Sequence, residues 1–203
     1  EHRIAAKNFK AISEKHPDSV EAHRGYIEVK AMLREIESVQ NKYQALSQAN
    51  PVNPVFKYAY ALALSYNDNP NFSALSQLIE SAIAINPSIS YFHQTLGWTY
   101  EQQEQIKGKT GYLEKAEAAY HIALALNNEF VFPKTESNLL LNLGNVYFQL
   151  ANYQEAYRHY QQRDVHFQPS GSSPTEQVYR ERYGRSCFNV DSTFFQACIA
   201  NII

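Results

Sequence analysis

The sequence predicts an all-α fold, a solenoid of four to five stacked helical hairpins, on three observations. First, one pattern recurs: a small or aliphatic residue, then a ring or aliphatic four positions on, then an apolar residue three further. It reads Ala5-Phe9-Ile12, Val39-Tyr43-Leu46, Leu75-Ile79-Ala82 and Ala116-Tyr120-Ala123. Second, the copies close at Pro17, Pro51, Pro87 and Asn128, separated by 34, 36 and 41 residues. A period near 34 residues marks stacked helix pairs, because one hairpin cannot bury its apolar face without a neighbour. Third, the chain holds 15 tyrosines and only 7 glycines, whereas a β-sandwich needs more glycine at its turns.

Helices are expected, in order, at 2–15, 20–34, 37–49, 54–66, 72–85, 89–104, 112–127, 136–150, 153–167, 175–188 and 192–202. Each proline stops one helix and turns the chain into the next. Asn71 and Asp191 are suited to cap the helices that follow them. Residues 1–16 are expected to be the second helix of a hairpin truncated upstream, 17–167 the regular stack and 175–203 a divergent hairpin. Residues 168–174, Gln-Pro-Ser-Gly-Ser-Ser-Pro, form the connector. Both ends look cut, so the chain reads as a fragment of a longer protein.

The clearest unit holds Leu143-Gly144-x2-Tyr147, followed by Ala156-x3-Tyr160. A second holds Leu96-Gly97-x2-Tyr100, followed by Ala116-x3-Tyr120. His23, Tyr26 and Ile27, and then Lys57, Tyr60, Ala61 and Leu64, stand in the matching slots of the earlier units. The chain thereby resembles the tetratricopeptide repeat over nearly its whole length. The resemblance implies a right-handed superhelix and a protein-interaction role, with the first helix (A) of each hairpin lining a concave groove. Gly97 and Gly144 would lie where the second helix (B) crosses closely, and Ala116 and Tyr120 would fill the seam between hairpins.

Three departures interrupt the stack. Residues 103–115 add length that could be extra helix or a loop, with Gly108 and Gly111 favouring a loop near the end. Residues 129–136 carry Phe130, Val131 and Phe132, which are expected to seal a gap in the core. Arg163 stands where an apolar B-helix residue belongs, so the stack is expected to loosen from there to residue 174. The final hairpin is expected to be the least stable, held by Phe188, Phe194, Phe195 and Cys198.

No catalytic or metal-binding motif is legible. Seven histidines occur, none in H-E-x-x-H spacing, and the two cysteines, Cys187 and Cys198, lack zinc spacing. Buried thiols are the expectation for both, with a single bridge between them as the alternative. His159 and His166 are expected to add surface or groove polarity. A net charge of -2 with interspersed signs argues against a general nucleic-acid or membrane-surface binder. No apolar run reaches the roughly 20 residues of a membrane span. No cofactor is implied. No signal peptide is visible, which favours the cytoplasm without fixing a compartment, since targeting signals can lie outside a fragment.

The groove phase implied by the resemblance selects the candidate partner-binding residues: Arg24, Tyr58, Leu62, Tyr91, Gln94, Trp98, Leu141, Asn142, Asn145, Phe148 and Arg182. Rings beside amides suit an extended peptide, the rings holding side chains and the amides its backbone. Trp98 is the expected anchor. Chaperone-adaptor members of the family clamp a terminal carboxylate with Lys, Asn and Arg. Asn142, Asn145 and Arg182 fit that pattern, but Leu141 stands in the lysine slot, so the clamp is incomplete. The reading is a scaffold that binds a partner peptide or helix. Alternatives are a regulatory or sensor module of a larger enzyme or transcription regulator, and a spacer that self-associates through its ends.

Overall fold

The computed structural model describes residues 1–108, 110–127, 133–166 and 174–190. Ten helices lie among them: α1 (His2–Lys15), α2 (Val20–Met32), α3 (Ile36–Ala49), α4 (Pro54–Leu64), α5 (Phe72–Ile85), α6 (Ser90–Lys107), α7 (Tyr112–Leu126), α8 (Pro133–Gln149), α9 (Tyr153–His166) and α10 (Pro174–Val190). No strand occurs among the described residues. The expected helix at 192–202, Asp191, Phe130 to Phe132, Phe194, Phe195 and the connector after 167 lie outside them, as does the side chain of Phe188. The chain divides into two compact units, residues 1–103 and 104–203.

Local chemistry starts and stops the helices, with the expected cap at Asn71 and further caps at Ser19 and Asn53. Ser19 Oγ accepts the Ala22 N–H, Asn53 Oδ1 accepts those of Val55 and Phe56, and Asn71 Oδ1 accepts that of Ala74. Each satisfies donors that the first turn leaves unpaired. Pro54 occupies the first turn of α4, where its missing N–H costs nothing. The α2–α3 and α8–α9 turns each need one left-handed residue, and Arg34 and Ala151 supply it at φ 58°. Glu35 N–H then bonds Lys30 O, and Asn152 N–H bonds Tyr147 O, closing the two helix ends.

In the first unit, α1 packs on α2, α3 on α4 and α4 on α5, while the A helices α2 and α4 touch each other. The repeating pattern forms the seam in two copies, with Val39, Tyr43, Leu75, Ile79 and Ala82 buried, whereas in the first copy Ala5 and Phe9 are partly exposed and Ile12 is exposed. His23 joins two helices here. Its Nε2 lies 3.0 Å from the Pro17 carbonyl and its Nδ1 2.7 Å from the Tyr43 hydroxyl. A carbonyl can only accept, so Nε2 carries the proton and Nδ1 accepts from Tyr43. His93 repeats the device with the Pro87 carbonyl at 2.8 Å. These two histidines are buried staples between a repeat-closing proline and the next A helix. Gly25, which the repeat pattern did not single out, faces the Phe9 ring, and a Cβ there would sit 2.5 Å from Phe9 Cε1.

In the second unit, α7 packs on α8, α8 on α9, and α9 on α10, and α10 also reaches α8. Ala116, Tyr120, Ala123, Ala156 and Tyr160 are buried. Gly144 lies against the Tyr160 ring. The added length at 103–115 resolves into one further turn of α6, ending at Lys107, and a short loop. Gly108 and Gly111 take φ near 80° there. Glu104 closes that loop by accepting from the Thr110 hydroxyl and the Tyr112 N–H.

Of the segment expected to loosen, Arg163 itself is packed, and residues 167–173 lie outside the described residues. Arg163 is buried, with its guanidinium 4.1 Å above the Tyr179 ring of α10. Tyr160, Tyr179 and Tyr183 pack ring to ring, and Tyr157 reaches Tyr183. Tyrosines that the sequence reading did not single out therefore dock the described part of α10. A cation–π contact lets a cation occupy an apolar slot, because the ring face supplies the negative potential. Cys187 is also buried, and it is disulfide-bonded, against the expectation of a buried thiol. Cys198 lies outside the described residues.

Candidate functional site

The candidate surface of the first unit lies on the A helices α2, α4 and α6, and one arginine ties all three together. Arg24 on α2 donates through Nη1 to the Tyr58 hydroxyl on α4 at 3.3 Å. Its Nη2 donates to Glu28 Oε1 at 3.2 Å. Its guanidinium lies 4.4 Å from the ring centroid of Tyr91 on α6. Tyr58 in turn lies 3.0 Å from Thr95 Oγ1. Since Arg24 donates to the phenol oxygen, the phenol proton is free to go to Thr95. Burial raises the Tyr58 pKa, so the phenol stays protonated.

This network sorts the expected contact residues. Tyr58 and Leu62 are buried and present no surface to a partner. The A helices approach closely enough to cover them, and the Tyr58 ring also lies tilted against Phe92, centroids 4.7 Å apart. Arg24, Tyr91, Gln94 and Trp98 are partly exposed. The Gln94 amide oxygen is enclosed without a hydrogen-bond partner. Trp98 is half-buried and meets Phe72 of α5 edge to face at 5.6 Å. Glu28 and Tyr66 complete the rim, Tyr66 being 42% exposed.

In the second unit Leu141, Asn142, Asn145, Phe148 and Arg182 are all partly exposed. Asn145 Oδ1 accepts from the Tyr160 hydroxyl at 2.9 Å, so half of its amide braces α8 against α9. Phe148 packs edge-on to Tyr153, and the Arg182 guanidinium lies 5.9 Å from its ring centroid.

A polar cluster beneath this face was not foreseen. His121 Nε2 donates to the Tyr147 hydroxyl at 2.9 Å, and that hydroxyl donates to Glu117 Oε1 at 2.8 Å. His159 stacks flat on Tyr147 at 5.3 Å and is buried, not a surface group. Burial, with Arg158 and His121 nearby, pushes the His159 pKa down to about 4. It is therefore neutral at pH 7. Among the described residues no group of three or more His, Cys, Asp or Glu could hold a metal ion. No helix there is long and apolar enough to cross a membrane.

Solved structures place the architecture. A thermophilic TPR protein of Thermus thermophilus, TTC0263, superposes with a TM-score of 0.62 at 17% identity, covering 92% of this chain and 91% of that one. YrrB, a TPR protein with an unusual peptide-binding site, gives 0.64 at 12% identity, covering 98% of this chain and 92% of that one. The chain has the tetratricopeptide-repeat fold. MamA is a further similar structure, at 0.56 and 16% identity over 79% of this chain and 85% of that one. No protein-family model and no curated protein matches the sequence. The tetratricopeptide assignment therefore stands on the fold and on the repeat residues, with Tyr43, Tyr120 and Tyr160 in the B-helix ring slots.

Proposed function

We propose that this tetratricopeptide-repeat chain is a protein-interaction scaffold that binds an extended peptide along the groove side of α2, α4 and α6. The observation that carries the reading is Arg24, held between Glu28, Tyr58 and the Tyr91 face. It fixes a rigid, half-buried floor, and a pre-organised surface loses little entropy when a ligand docks. Tyr91 offers an aromatic surface for a side chain, and Gln94, whose amide oxygen is enclosed, has its amide NH2 left to donate to a peptide backbone. YrrB, which shares the fold, is described as having a peptide-binding site, and peptide binding is carried to this chain as part of the proposal.

The same residues argue for binding over catalysis. The site offers rings and amides around an arginine already bonded to carboxylate and phenol. No nucleophile is paired with a base there. The test is selection of peptides from a random display library on the purified chain, followed by affinity measurement with Tyr91→Ala and Gln94→Ala. Affinity should fall at least tenfold in the double variant with the helical spectrum unchanged. Peptides that bind both proteins equally would remove the groove from consideration.

A further inference from the structure

The first unit has a second concave surface, away from the groove. It is a cavity of about 390 Å³ lined by Arg3, Ala6, Lys7 and Lys10 of α1, by Tyr26 and Lys30 of α2, and by Leu33 and Glu35 beyond α2. The four α1 residues follow helical spacing and share one face. Tyr26 and Lys30 lie two positions beyond Arg24 and Glu28 on α2, about 200° around the helix axis. They therefore project away from the peptide groove.

The cavity combines two chemistries. Its floor is apolar, formed by Ala6, Leu33 and the Tyr26 ring, with Ala6 and Tyr26 themselves buried. Its rim is cationic. Lys7, Arg3 and Lys10 are exposed, and Lys42 places its ammonium 4.7 Å from the Tyr26 ring centroid. Four cations line the cavity, Arg3, Lys7, Lys10 and Lys30, against one lining carboxylate, Glu35, which is bonded to Lys30; Glu14, outside the lining, lies 3.8 Å from Lys10. Burial holds the Lys42 ammonium below its ordinary pKa, with Glu14 acting against the shift and Lys10 adding to it.

We infer that this cavity is a docking site for an acidic peptide segment that carries one apolar side chain flanked by carboxylates. The floor matches a single leucine- or phenylalanine-sized group. The rim matches carboxylates one or two residues to either side. A duplex or polyphosphate fits less well, because the apolar floor of Ala6, Leu33 and the Tyr26 ring would meet nothing.

The test uses a fluorescein-labelled peptide of glutamates around a central phenylalanine, titrated with the 203-residue chain and read by anisotropy. Saturable binding should weaken at least tenfold in a Lys7→Glu, Lys10→Glu double variant. Both side chains are exposed, and an unchanged helical spectrum will show that the fold is kept. Replacing the peptide's phenylalanine by glycine should also weaken binding several-fold, and raised salt should weaken it further. The groove variants Tyr91→Ala and Gln94→Ala should leave this binding unchanged, which separates the pocket from the groove. Equal binding of the phenylalanine and glycine peptides, displacement by polyphosphate at equal charge concentration, or indifference to the double variant would each overturn the proposal.

Discussion

Gly144 on α8 lies directly against the ring of Tyr160 on α9, close enough that a Cβ at position 144 would stand 2.5 Å from Tyr160 Cδ1. The ring cannot retreat, because it is fully buried among Tyr179 and Tyr183 and its hydroxyl is held by Asn145. Gly144→Ala should therefore destabilise the second unit by roughly 1–3 kcal/mol through overpacking, despite alanine's better helix propensity. Gly25→Ala, facing the partly exposed Phe9, should cost less, since that ring can turn outward. Denaturant midpoints of the two variants check the order.

The turn at Ala151 offers the opposite change. A non-glycine residue at φ 58° carries steric strain between Cβ and the backbone, on the order of 1 kcal/mol. Ala151→Gly should raise stability by a few tenths to about 1 kcal/mol, and Arg34→Gly should act similarly. A lower melting temperature for Ala151→Gly would show that the turn is not as described.

His159 makes stability depend on pH. Its folded pKa, about 4, lies below the ordinary histidine value near 6.5. The unfolded chain therefore binds a proton first as pH falls. The contribution is fully present above about pH 6.5 and is lost progressively as pH falls toward 4. The loss is on the order of 2 kcal/mol, from about 1.4 kcal/mol per pKa unit discounted for solvent relaxation. His23, whose pKa burial also lowers, acts in the same direction. An NMR titration should find His159 still neutral at pH 5.5, and His159→Gln should flatten the pH dependence of melting.

Arg163 and Tyr179 form the contact that docks α10. Tyr179→Ala should loosen α10 by about 3 kcal/mol, from lost ring burial together with an arginine left without its ring face. Hydrogen exchange should then accelerate across residues 174–190, while residues 1–103 keep their protection. Unchanged exchange in α10 would mean that other contacts hold it.

The fold was legible because burial of the B-helix ring repeats with the hairpin. Val39, Tyr43, Leu75, Ile79, Ala116, Tyr120, Ala156 and Tyr160 all read correctly as seam residues. The groove was legible only in part. Helical phase puts Tyr58 and Leu62 on the same face as Arg24, but phase does not report how closely neighbouring A helices approach, and that approach buries them. Tyr179 and Tyr183 were missed because a divergent repeat keeps its packing while changing its residues. Arg163 looked like an interruption because its partner ring lies sixteen residues away in another helix. His23 and His93 each sit six residues after a repeat-closing proline, a spacing that was present in the sequence and could have identified the staple.

The central claim is that the groove side of α2, α4 and α6 receives a peptide, and NMR chemical-shift mapping tests it most directly. A library-selected peptide added to the isotope-labelled chain should shift the signals of Arg24, Glu28, Tyr66, Tyr91 and Gln94, with smaller effects on the B-helix faces of α3 and α5. Shifts confined to α3 and α5, or scattered without focus on those five residues, would contradict it.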